Sequence, residues 1–390
     1  MKIVHICLCG PYNDGWSYQD NLIPNYNKLD GHDVTVITSR YIDNKESKGV
    51  DKVKSGEYTY DNINIIRLEK ALLIPEVVNL KLRKYRKLYS HLEAIQPDLI
   101  FFHGIQSIEM LVVKKYIKNN SDCKWVVDNH ASYYNSATNN FSKNIIHKLF
   151  YRSVISKSEK YIDQYFSITP ECKKFMVDMY SINEKRIDDL YLGFDTILFE
   201  KILKKYSKKE LRDIYDIDKD SVVLVTGGKL NKSKRIIQTI DIFNEINSSN
   251  SLLLIFGILS EDIEKEFLKK INENKRIKYL GWKNQNEINE LLLLSDIGVY
   301  LGSQSALWQQ SIGAGLPLVI SVEENANYLD FGGNILFTNR NNKSETIEKV
   351  QEIINSKDLV EEMSMICETK AKKHFSYREI SRKAILKDGK

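Results

Sequence analysis

Strand-like runs alternate with helix-length amphipathic segments from one end of the chain to the other, the pattern of a parallel sheet flanked by helices. The alternation is interrupted once by a charge-dense stretch and then starts again. The first series of predicted strands is KIVHICL, DVTVITS, INIIRL, DLIFFHG, KWVVDNH, QYFSIT and IDDLYLG, and the second is SVVLVTGG, SLLLIFG, RIKYLG, DIGVYLG, LPLVIS and NILFT. Such continuous apolar runs are typical of strands covered on both faces. Two doubly wound, Rossmann-like α/β domains are therefore predicted.

The length of 390 residues also favours two domains, because single cores rarely exceed about 250 residues. The charge-dense stretch KILKKYSKKELRDIYDIDKD lies between the two strand series. We predict a first domain of residues 1–197 and a second of residues 198–374, with a C-terminal helix at about 375–390 that packs back on the first. Since ligands bind outside the carboxyl ends of such strands, we expect the domains to face each other across a cleft.

Composition excludes several classes of protein. A net charge of +5 is too small to indicate nucleic-acid binding. No run of about eighteen apolar residues occurs, and the N-terminal run is too short for a signal peptide, so a cytoplasmic location is expected. The cysteines are odd in number and scattered, which argues against a disulfide framework. They are Cys7, Cys9, Cys123, Cys172 and Cys367.

The loop after the first strand, GPYNDGWSYQDN, contains Gly15 and leads into a helix predicted to begin at about Trp16. Glycines in such a loop let backbone N–H groups approach a phosphate or a sugar. The loop matches neither of the common phosphate-binding motifs. A plain strand-to-helix turn is the alternative.

A second loop lies in TGGKLNKSKRIIQTIDIFNEI, where the strand is predicted to end at Thr226, before Gly228, and the helix to begin near Ser233. Four cations crowd this helix N-terminus, where the helix dipole disfavours positive charge. They are Lys229, Lys232, Lys234 and Arg235. Cations placed against the local field indicate an anionic ligand such as a diphosphate. The alternative is a solvated lysine-rich loop.

A third candidate is DIGVYLGSQSALWQQSIGAGLPLVIS, with a helix predicted from about Ser305. Gln309 and Gln310 would lie about one turn into that helix. Side-chain amides both donate and accept hydrogen bonds, so they suit the hydroxyls of a ribose or a sugar. Ordinary helix packing is the alternative.

Two histidines, His103 and His130, lie at the ends of predicted strands, where a side chain can reach a ligand. A structural role is the alternative for each. The aspartates of DIDKD precede a strand rather than follow one, so we predict no metal site there, and no metal-binding cluster in either domain.

Taken in order, these motifs resemble the retaining glycosyltransferases of family 4, which have the two-domain B-type fold. TGGKLNKSKR is similar to the donor loop G-R-L-x-x-x-K-G of that family, with Lys229 at the arginine position and Lys234 at the lysine position. Gly193 and Asp195 match its asparagine-glycine-valine-aspartate turn, and His130 aligns with its active-site histidine. The likeness extends over about residues 2–375.

One departure concerns the family's paired glutamates, which correspond here to Gly302 and Gln310. QSALWQQSIGAGLP resembles a variant found among bacterial surface-polysaccharide transferases. In that variant Gln310 would hold the ribose, and Gln304 or Ser305 would replace the lost sugar contact.

The resemblance implies transfer with retention of anomeric configuration, assisted by the donor's own diphosphate. His130, Lys229 and Lys234 would be the catalytic residues, with the lysines stabilising the departing diphosphate, so neither a cofactor nor a metal would be needed. The implied donor is a nucleotide-sugar, expected to be UDP-linked. The implied acceptor is a growing glycan, expected to be a polyprenyl-diphosphate-linked intermediate of bacterial surface polysaccharide. Two alternatives are a nucleotide-sugar epimerase and a non-catalytic polysaccharide-assembly subunit.

The segment VVNLKLRKYRKLYSHLEAI is predicted to form one helix with an apolar stripe and a basic face. The stripe comprises Val78, Leu82, Tyr85, Tyr89 and Leu92, and the basic face comprises Arg83, Lys84, Arg86 and Lys87. If the stripe packs on the sheet, the basic face is free to bind an anionic membrane surface, which would make the protein peripheral at the membrane. A solvated basic face is the alternative.

Overall fold

The computed structural model describes residues 1–44, 49–71, 75–322 and 326–385. The chain forms two compact units, Met1–Leu192 together with the segment from Ile380 onward, and Gly193–Glu379. The boundary predicted from the sequence lies a few residues later, after residue 197. In the described ranges, every helix is too short or too polar to cross a lipid bilayer.

The first unit contains an eight-stranded sheet in the order β10-β9-β8-β7-β1-β2-β6-β5. All neighbours are parallel except β5, which runs antiparallel to β6 at the edge, and β3 and β4 form a separate antiparallel pair. The strands are β1 Lys2–Cys7, β2 Asp33–Ser39, β3 Tyr41–Asp43, β4 Val50–Lys52, β5 Gly56–Tyr60, β6 Ile63–Leu68, β7 Leu99–Phe102, β8 Lys124–Asn129, β9 Gln164–Ser167 and β10 Ile187–Asp189.

Helices follow most of these strands, as crossover connections between parallel strands require. The α-helices of the first unit are α1 Gln19–Leu29, α2 Glu76–Leu82, α3 Leu88–Ile95, α4 Met110–Asn119, α5 Arg152–Ser158 and α6 Pro170–Tyr180. A π-helical stretch, Ser142–Tyr151, leads into α5, and 3₁₀ turns occupy Glu159–Tyr161 and Glu184–Arg186.

The second unit contains a six-stranded, wholly parallel sheet in the order β13-β12-β11-β14-β15-β16. Its elements are α7 Thr196–Lys205, α8 Lys208–Ile214, β11 Val222–Leu230, α9 Ile236–Glu245, β12 Ser251–Leu259, α10 Glu261–Asn272, β13 Ile277–Tyr279, α11 Gln285–Leu294, β14 Ile297–Tyr300, α12 Leu307–Gly313, β15 Leu318–Val322, β16 Ile335–Asn339, α13 Lys343–Asn355, α14 Lys357–Ile366 and α15 Lys372–His374. Turns of 3₁₀ helix occupy Lys232–Lys234 and Asn327–Leu329, Cys367–Ala371 is π-helical, and the last helix, α16, is Tyr377–Ala384.

Counted along the chain, the strands of the second sheet lie in the order third, second, first, fourth, fifth and sixth, which is the Rossmann order. The first sheet has the same central order, with β10 added at one edge and β5 at the other. The predicted fold class, two Rossmann-like doubly wound α/β domains, is confirmed.

Several predicted boundaries near the loops are wrong. The strand predicted to end at Thr226 continues to Leu230, because β12 pairs with it along its whole length. The following helix begins at Ile236 rather than near Ser233, after a left-handed residue, Arg235, with φ of 52°. Likewise α1 begins three residues after Trp16 and α12 two residues after Ser305.

The single helix predicted for residues 77–95 is also wrong. It is divided into α2 and α3 by residues with left-handed backbone, Arg83 with φ of 55° and Lys87 with φ of 63°. Arg83 donates a hydrogen bond from Nη1 to the Gln106 carbonyl at 2.6 Å, and the Lys84 ammonium lies 3.1 Å from the buried Glu109 carboxylate. Two of the four cations of the predicted basic face therefore have partners within the unit.

The predicted apolar stripe of that segment is only partly buried. Tyr85 and Leu92 lie in the core, whereas Val78 is 45% exposed. Arg86 and Lys87 are exposed. The basic surface is thus smaller than the sequence predicts.

A carboxylate at the start of β14 fixes the centre of the second sheet. Asp296 accepts hydrogen bonds from the backbone N–H of Val223 on β11 at 2.8 Å and from Nη2 of Arg212 on α8 at 2.6 Å. Lys208 Nζ lies 2.8 Å from its other oxygen. These bonds join the two strands between which the strand order reverses.

We expect Asp296→Ala to lower the free energy of unfolding of the second unit by about 2–3 kcal/mol, because it leaves the largely buried Arg212 without its anion. The control is Glu361→Ala, which removes the partner of Lys357 from a pair whose side chains are 63% and 87% exposed. That change should cost less than about 0.5 kcal/mol. Urea unfolding measures both values, and equal losses would contradict the role given to Asp296.

Candidate functional site

In each unit the strand order reverses between two central strands, β1 and β7 in the first and β11 and β14 in the second. The loops that leave these strands diverge to opposite sides of the sheet and open a crevice at the carboxyl ends. The candidate site residues of each unit lie in or near these loops.

In the second unit, Lys234 joins the two loops. Its ammonium donates hydrogen bonds to the carbonyl oxygens of Ser303 at 2.6 Å and Gln304 at 2.7 Å. The Ser303 N–H donates in turn to the Ser233 carbonyl at 2.9 Å. The loop after β11 and the loop after β14 are therefore held side by side, with a positive charge between them.

Burial lowers the pKa of Lys234 to about 8. Carbonyl dipoles solvate the ammonium only in part, so an anion bound beside it would stabilise the charged form. The lysine is charged at neutral pH and becomes neutral as the pH rises above its pKa. This electrostatic arrangement suits a phosphate-bearing ligand.

The other predicted residues of this loop lie on the strand. Lys229 is exposed near the end of β11. Gly228 precedes it with φ of +112°, a backbone conformation that favours glycine. The structure thus places Lys229 on the strand and Lys234 in the turn that follows.

The predicted amide residues divide into two groups. Gln304 and Gln309 both donate from Nε2 to the hydroxyl of Tyr328, at 2.5 and 3.0 Å. Gln310 instead accepts from Gln285 of α11 at 3.5 Å. Tyr328 was not predicted as a site residue, because nothing in its local sequence indicates that its hydroxyl reaches these amides.

Ser305 lies between the two groups. Its hydroxyl accepts a hydrogen bond from the Leu307 N–H at 3.4 Å, at the entry to α12. The structure therefore puts Ser305 at the start of the helix beside Gln304, which makes a neutral polar surface next to the Lys234 ammonium.

In the first unit, His130 follows β8 and contacts a buried carboxylate. His130 Nε2 lies 3.0 Å from Asp128 Oδ2. The other oxygen of Asp128 accepts from the Gly104 N–H at 2.8 Å. Asp128 was not predicted, although in the predicted strand KWVVDNH its spacing of two residues from His130 puts both on one face.

The two groups shift each other's pKa. Burial alone would lower the pKa of His130, but the charge and hydrogen bond of Asp128 outweigh it and raise that pKa to about 9. Burial opposes ionisation of Asp128, yet the two neighbouring histidines hold its pKa well below the usual range. The pair is therefore an imidazolium beside a carboxylate at neutral pH.

The second predicted histidine belongs to the same cluster. His103 Nδ1 lies 3.3 Å from Asp128 Oδ2 and 3.5 Å from Asp20 Oδ1, and His130 Nε2 lies 3.9 Å from that Asp20 oxygen. We call Asp20, His103, Asp128 and His130 the Asp–His cluster. No metal-binding cluster was predicted from the sequence, but ligand atoms of Asp20, His103 and His130 lie within 4.8 Å of one another.

A chain of buried polar groups extends behind the cluster. His103 Nε2 lies 3.0 Å from His5 Nδ1, and His5 Nε2 lies 3.1 Å from Asn27 Oδ1. Asn27 Nδ2 donates to the Ser381 carbonyl at 3.3 Å. Burial and the neighbouring His103 lower the pKa of His5, so His5 is neutral.

Gly15 lies apart from these contacts. It has φ of +73°, and a Cβ there would lie 2.4 Å from the Tyr60 hydroxyl. Beside it is a cavity of about 600 Å³. Its lining includes Trp16, Tyr58 and Arg67.

Comparison with known proteins bears on the family and the fold. Residues 18–197 match the family model described as Glycosyltransferase Family 4. The predicted resemblance to family 4 is confirmed. The matched segment includes all four residues of the Asp–His cluster.

Among curated relatives of this family 4-like chain is the chitobiosyldiphosphodolichol beta-mannosyltransferase of Kluyveromyces lactis. It is 22% identical over 274 residues, which cover 60% of this chain and 60% of that protein. A DNA ligase of Finegoldia magna is 29% identical over 134 residues, which cover 34% of this chain and 19% of the ligase. The chain thus spans at most 60% of the length of these two relatives.

Solved structures match nearly the whole chain. A glycosyltransferase of Rickettsia africae has a TM-score of 0.69 at 13% identity, covering 98% of this chain and 96% of that one. HepE of Anabaena, solved in complex with UDP and glucose, has a TM-score of 0.65 at 15% identity, covering 98% of each chain. At such identities the likeness establishes the fold, and the B-type glycosyltransferase fold predicted from the sequence is confirmed.

The close approach of the two loops in the second unit makes a prediction about Gly302. A Cβ at Gly302 would lie 2.3 Å from the backbone carbon of Lys234. We therefore expect Gly302→Ala to separate the loops, to lower the free energy of unfolding by about 1–3 kcal/mol, and to accelerate amide hydrogen exchange at residues 231–235. Gly10→Ala is the control, since a Cβ at Gly10 meets no atom within 4 Å. Unchanged exchange in Gly302→Ala would refute this account of the loops.

Proposed function

We propose that this protein is a glycosyltransferase that transfers a sugar from a UDP-sugar to a glycan acceptor with retention of anomeric configuration. The observation that carries the proposal is the Lys234 ammonium, half-buried at the point where the strand order of the second sheet reverses, and held there by the carbonyls of Ser303 and Gln304. A diphosphate beside Lys234 would complete the coordination of its charge. The complex of HepE with UDP and glucose supports the choice of nucleotide.

In the proposed reaction the bond between the anomeric carbon and the diphosphate oxygen breaks, and a bond from the acceptor oxygen forms on the same face. The acceptor proton passes to the departing diphosphate. Lys229 and Lys234 stabilise the charge that builds on that group, which is the contribution of preorganised cations to such steps. No protein nucleophile and no metal takes part.

The neutral polar groups are proposed to hold the rest of the donor. Gln310, oriented by Gln285, contacts the ribose, and Gln304 and Ser305 contact the sugar hydroxyls. His130, kept charged by Asp128, donates a hydrogen bond to the donor sugar. In this assignment the backbone of Gly228 gives the donor space, and Gly15 shapes the loop after β1.

We propose that the first unit binds the acceptor. The cavity beside Gly15 combines aromatic walls, Trp16 and Tyr58, with the charged Arg67, a mixture suited to a sugar with hydroxyl groups. The name of the yeast relative includes a dolichol diphosphate, which supports a polyprenyl-diphosphate-linked acceptor. Arg86 and Lys87 are the remaining cations of the predicted basic face for attachment to an anionic membrane.

The Asp–His cluster favours one alternative, a nucleotide-sugar epimerase, because that reaction needs acidic and histidine groups around the sugar. The two activities give different products. A transferase releases UDP and needs an acceptor, whereas an epimerase changes the sugar and leaves the nucleotide-sugar bond intact. Product analysis with and without acceptor separates them.

The donor site predicts a pH dependence. Lys234→Ala and Lys229→Ala should each weaken UDP binding about 10-fold or more, because each removes a charge-assisted contact. In the wild type, UDP affinity should fall as the pH rises from below to above 8, since Lys234 loses its proton in that range. Lys234→Ala should lack this component. Titration calorimetry measures the affinity, with Lys357→Ala as the control, and identical pH profiles would contradict the assignment.

The transfer step predicts a separate effect at His130. His130→Ala should lower acceptor-dependent UDP release by about 10–100-fold through the lost hydrogen bond to the sugar, with UDP affinity retained. Wild-type turnover should persist in excess EDTA. Complete loss of turnover in EDTA, restored by Mn²⁺, would disprove metal-independent transfer.

A further inference from the structure

The hydrogen bonds behind the Asp–His cluster fix the tautomers of its buried histidines. Asn27 donates from Nδ2 to the Ser381 carbonyl, so its Oδ1 is the atom that faces His5 Nε2. An amide oxygen only accepts, and His5 Nε2 therefore carries the proton. Neutral His5 then accepts at Nδ1 from His103 Nε2, which must be protonated in its turn.

This order of donors uses His103 Nε2 as the donor to His5, so Nδ1 is the ring atom that faces the carboxylates. His103 is 2% exposed, and its Nδ1 is a buried atom without a hydrogen-bond partner among the described residues. Carboxylate oxygens of Asp128 and Asp20 lie 3.3 and 3.5 Å from it. Either a proton on Nδ1 or a metal ion among these three atoms would relieve the repulsion between them.

The spacing of the four ligand atoms fits a small metal ion. Four ligands at about 2.1 Å from a tetrahedral metal ion lie about 3.4 Å from one another. Of the six separations among these four ligand atoms, four are 3.0, 3.3, 3.5 and 3.9 Å, and the atoms of Asp20, His103 and His130 all lie within 4.8 Å of one another.

The cluster is also accessible and anionic. The side chains of His130 and Asp20 are 34% and 32% exposed, whereas those of His103 and Asp128 are buried beneath them. The two carboxylates carry two negative charges. A divalent ion that displaces the His130 proton to solvent makes the cluster neutral, and imidazole with carboxylate is a ligand set that Zn²⁺ favours.

We propose that Asp20, His103, Asp128 and His130 bind one first-row transition metal ion, Zn²⁺ foremost, and that the bound ion inhibits the protein by occupying His130. The buried chain from His103 through His5 to Asn27 supplies the outer hydrogen bonds that orient a ligating histidine. The inhibitory part rests on the proposed transferase function. The binding part depends only on the geometry of the first unit.

Binding is tested on the full chain without donor or acceptor. Equilibrium dialysis of chelator-treated protein against Zn²⁺ alone should give one ion per chain. Co²⁺ alone should give a tetrahedral absorption spectrum without a thiolate charge-transfer band, which excludes the cysteines as ligands. Asp20→Asn should weaken Zn²⁺ binding by about 100-fold or more, and it alters a partly exposed residue rather than the core. His91→Ala, which removes another carboxylate-paired histidine, is the matched control.

Wild-type binding that Asp20→Asn abolishes and His91→Ala retains supports the site. No Zn²⁺ binding by the wild type, equal binding by Asp20→Asn, or a thiolate band in the Co²⁺ spectrum overturns it.

In the rate assay, Zn²⁺ should slow UDP release by the wild type in proportion to its occupancy. The same Zn²⁺ concentration should slow Asp20→Asn less, when each rate is compared with the metal-free rate of the same variant. Occupancy without slowing overturns the inhibition. Absence of UDP release from metal-free protein counts against the transferase, while dialysis still decides the metal site.

Discussion

Parallel pairing of β-strands is the constraint on which both units depend. Parallel neighbours need a crossover between them, and crossovers bring the carboxyl ends of all strands to one edge of the sheet. Where successive crossovers leave for opposite sides, between β1 and β7 and between β11 and β14, a crevice has to open. Lys234 and the Asp–His cluster lie at or beside these two places, so their positions follow from topology before any ligand is considered.

Buried charge is the second constraint, and the two units meet it differently. Asp128 is wholly buried and keeps its charge because a backbone N–H and the two histidines surround it. Lys234 is less buried, and its ammonium donates hydrogen bonds to two carbonyl oxygens. The first arrangement is compensated within the protein. In the second, the positive charge of Lys234 is compensated only in part, and an anionic ligand can complete the compensation.

The sequence predicts the parts of this structure that depend on local pattern. All the strands of the two parallel series were recognisable as apolar runs, and the bounds predicted for β2 and β6 agree with the structure. Contacts between distant residues decide the rest. Strand β11 extends beyond its apolar run because β12 continues to pair with it. The segment 77–95 is not one helix, because Arg83 binds the Gln106 carbonyl and Lys84 pairs with Glu109.

The candidate site divides in the same way. His130, Lys229 and Lys234 were singled out because loop position and chemistry are visible in sequence. The contact of Asp20 with His103 joins helix α1 to the residue that follows β7, more than eighty positions along the chain. Tyr328 reaches Gln304 and Gln309 from another strand connection. No periodicity or short motif records such contacts. Asp128 is different, because its spacing of two residues from His130 is visible in the sequence.

The hydroxyl of Tyr328 has a consequence for what the second unit can distinguish. Because Gln304 donates one of its two side-chain N–H groups to Tyr328, its side-chain carbonyl oxygen and its second N–H are left for other groups. A carbonyl oxygen beside an N–H pairs better with a hydroxyl group, which both donates and accepts, than with a phosphate oxygen, which only accepts. The Lys234 ammonium donates a hydrogen bond to the backbone carbonyl of the same Gln304. Unlike the side-chain amide, it favours phosphate oxygens. Gln304 therefore lies between a group that favours anions and a group that favours hydroxyls. An elongated molecule with an anionic end and a hydroxylated end can satisfy both groups in only one orientation.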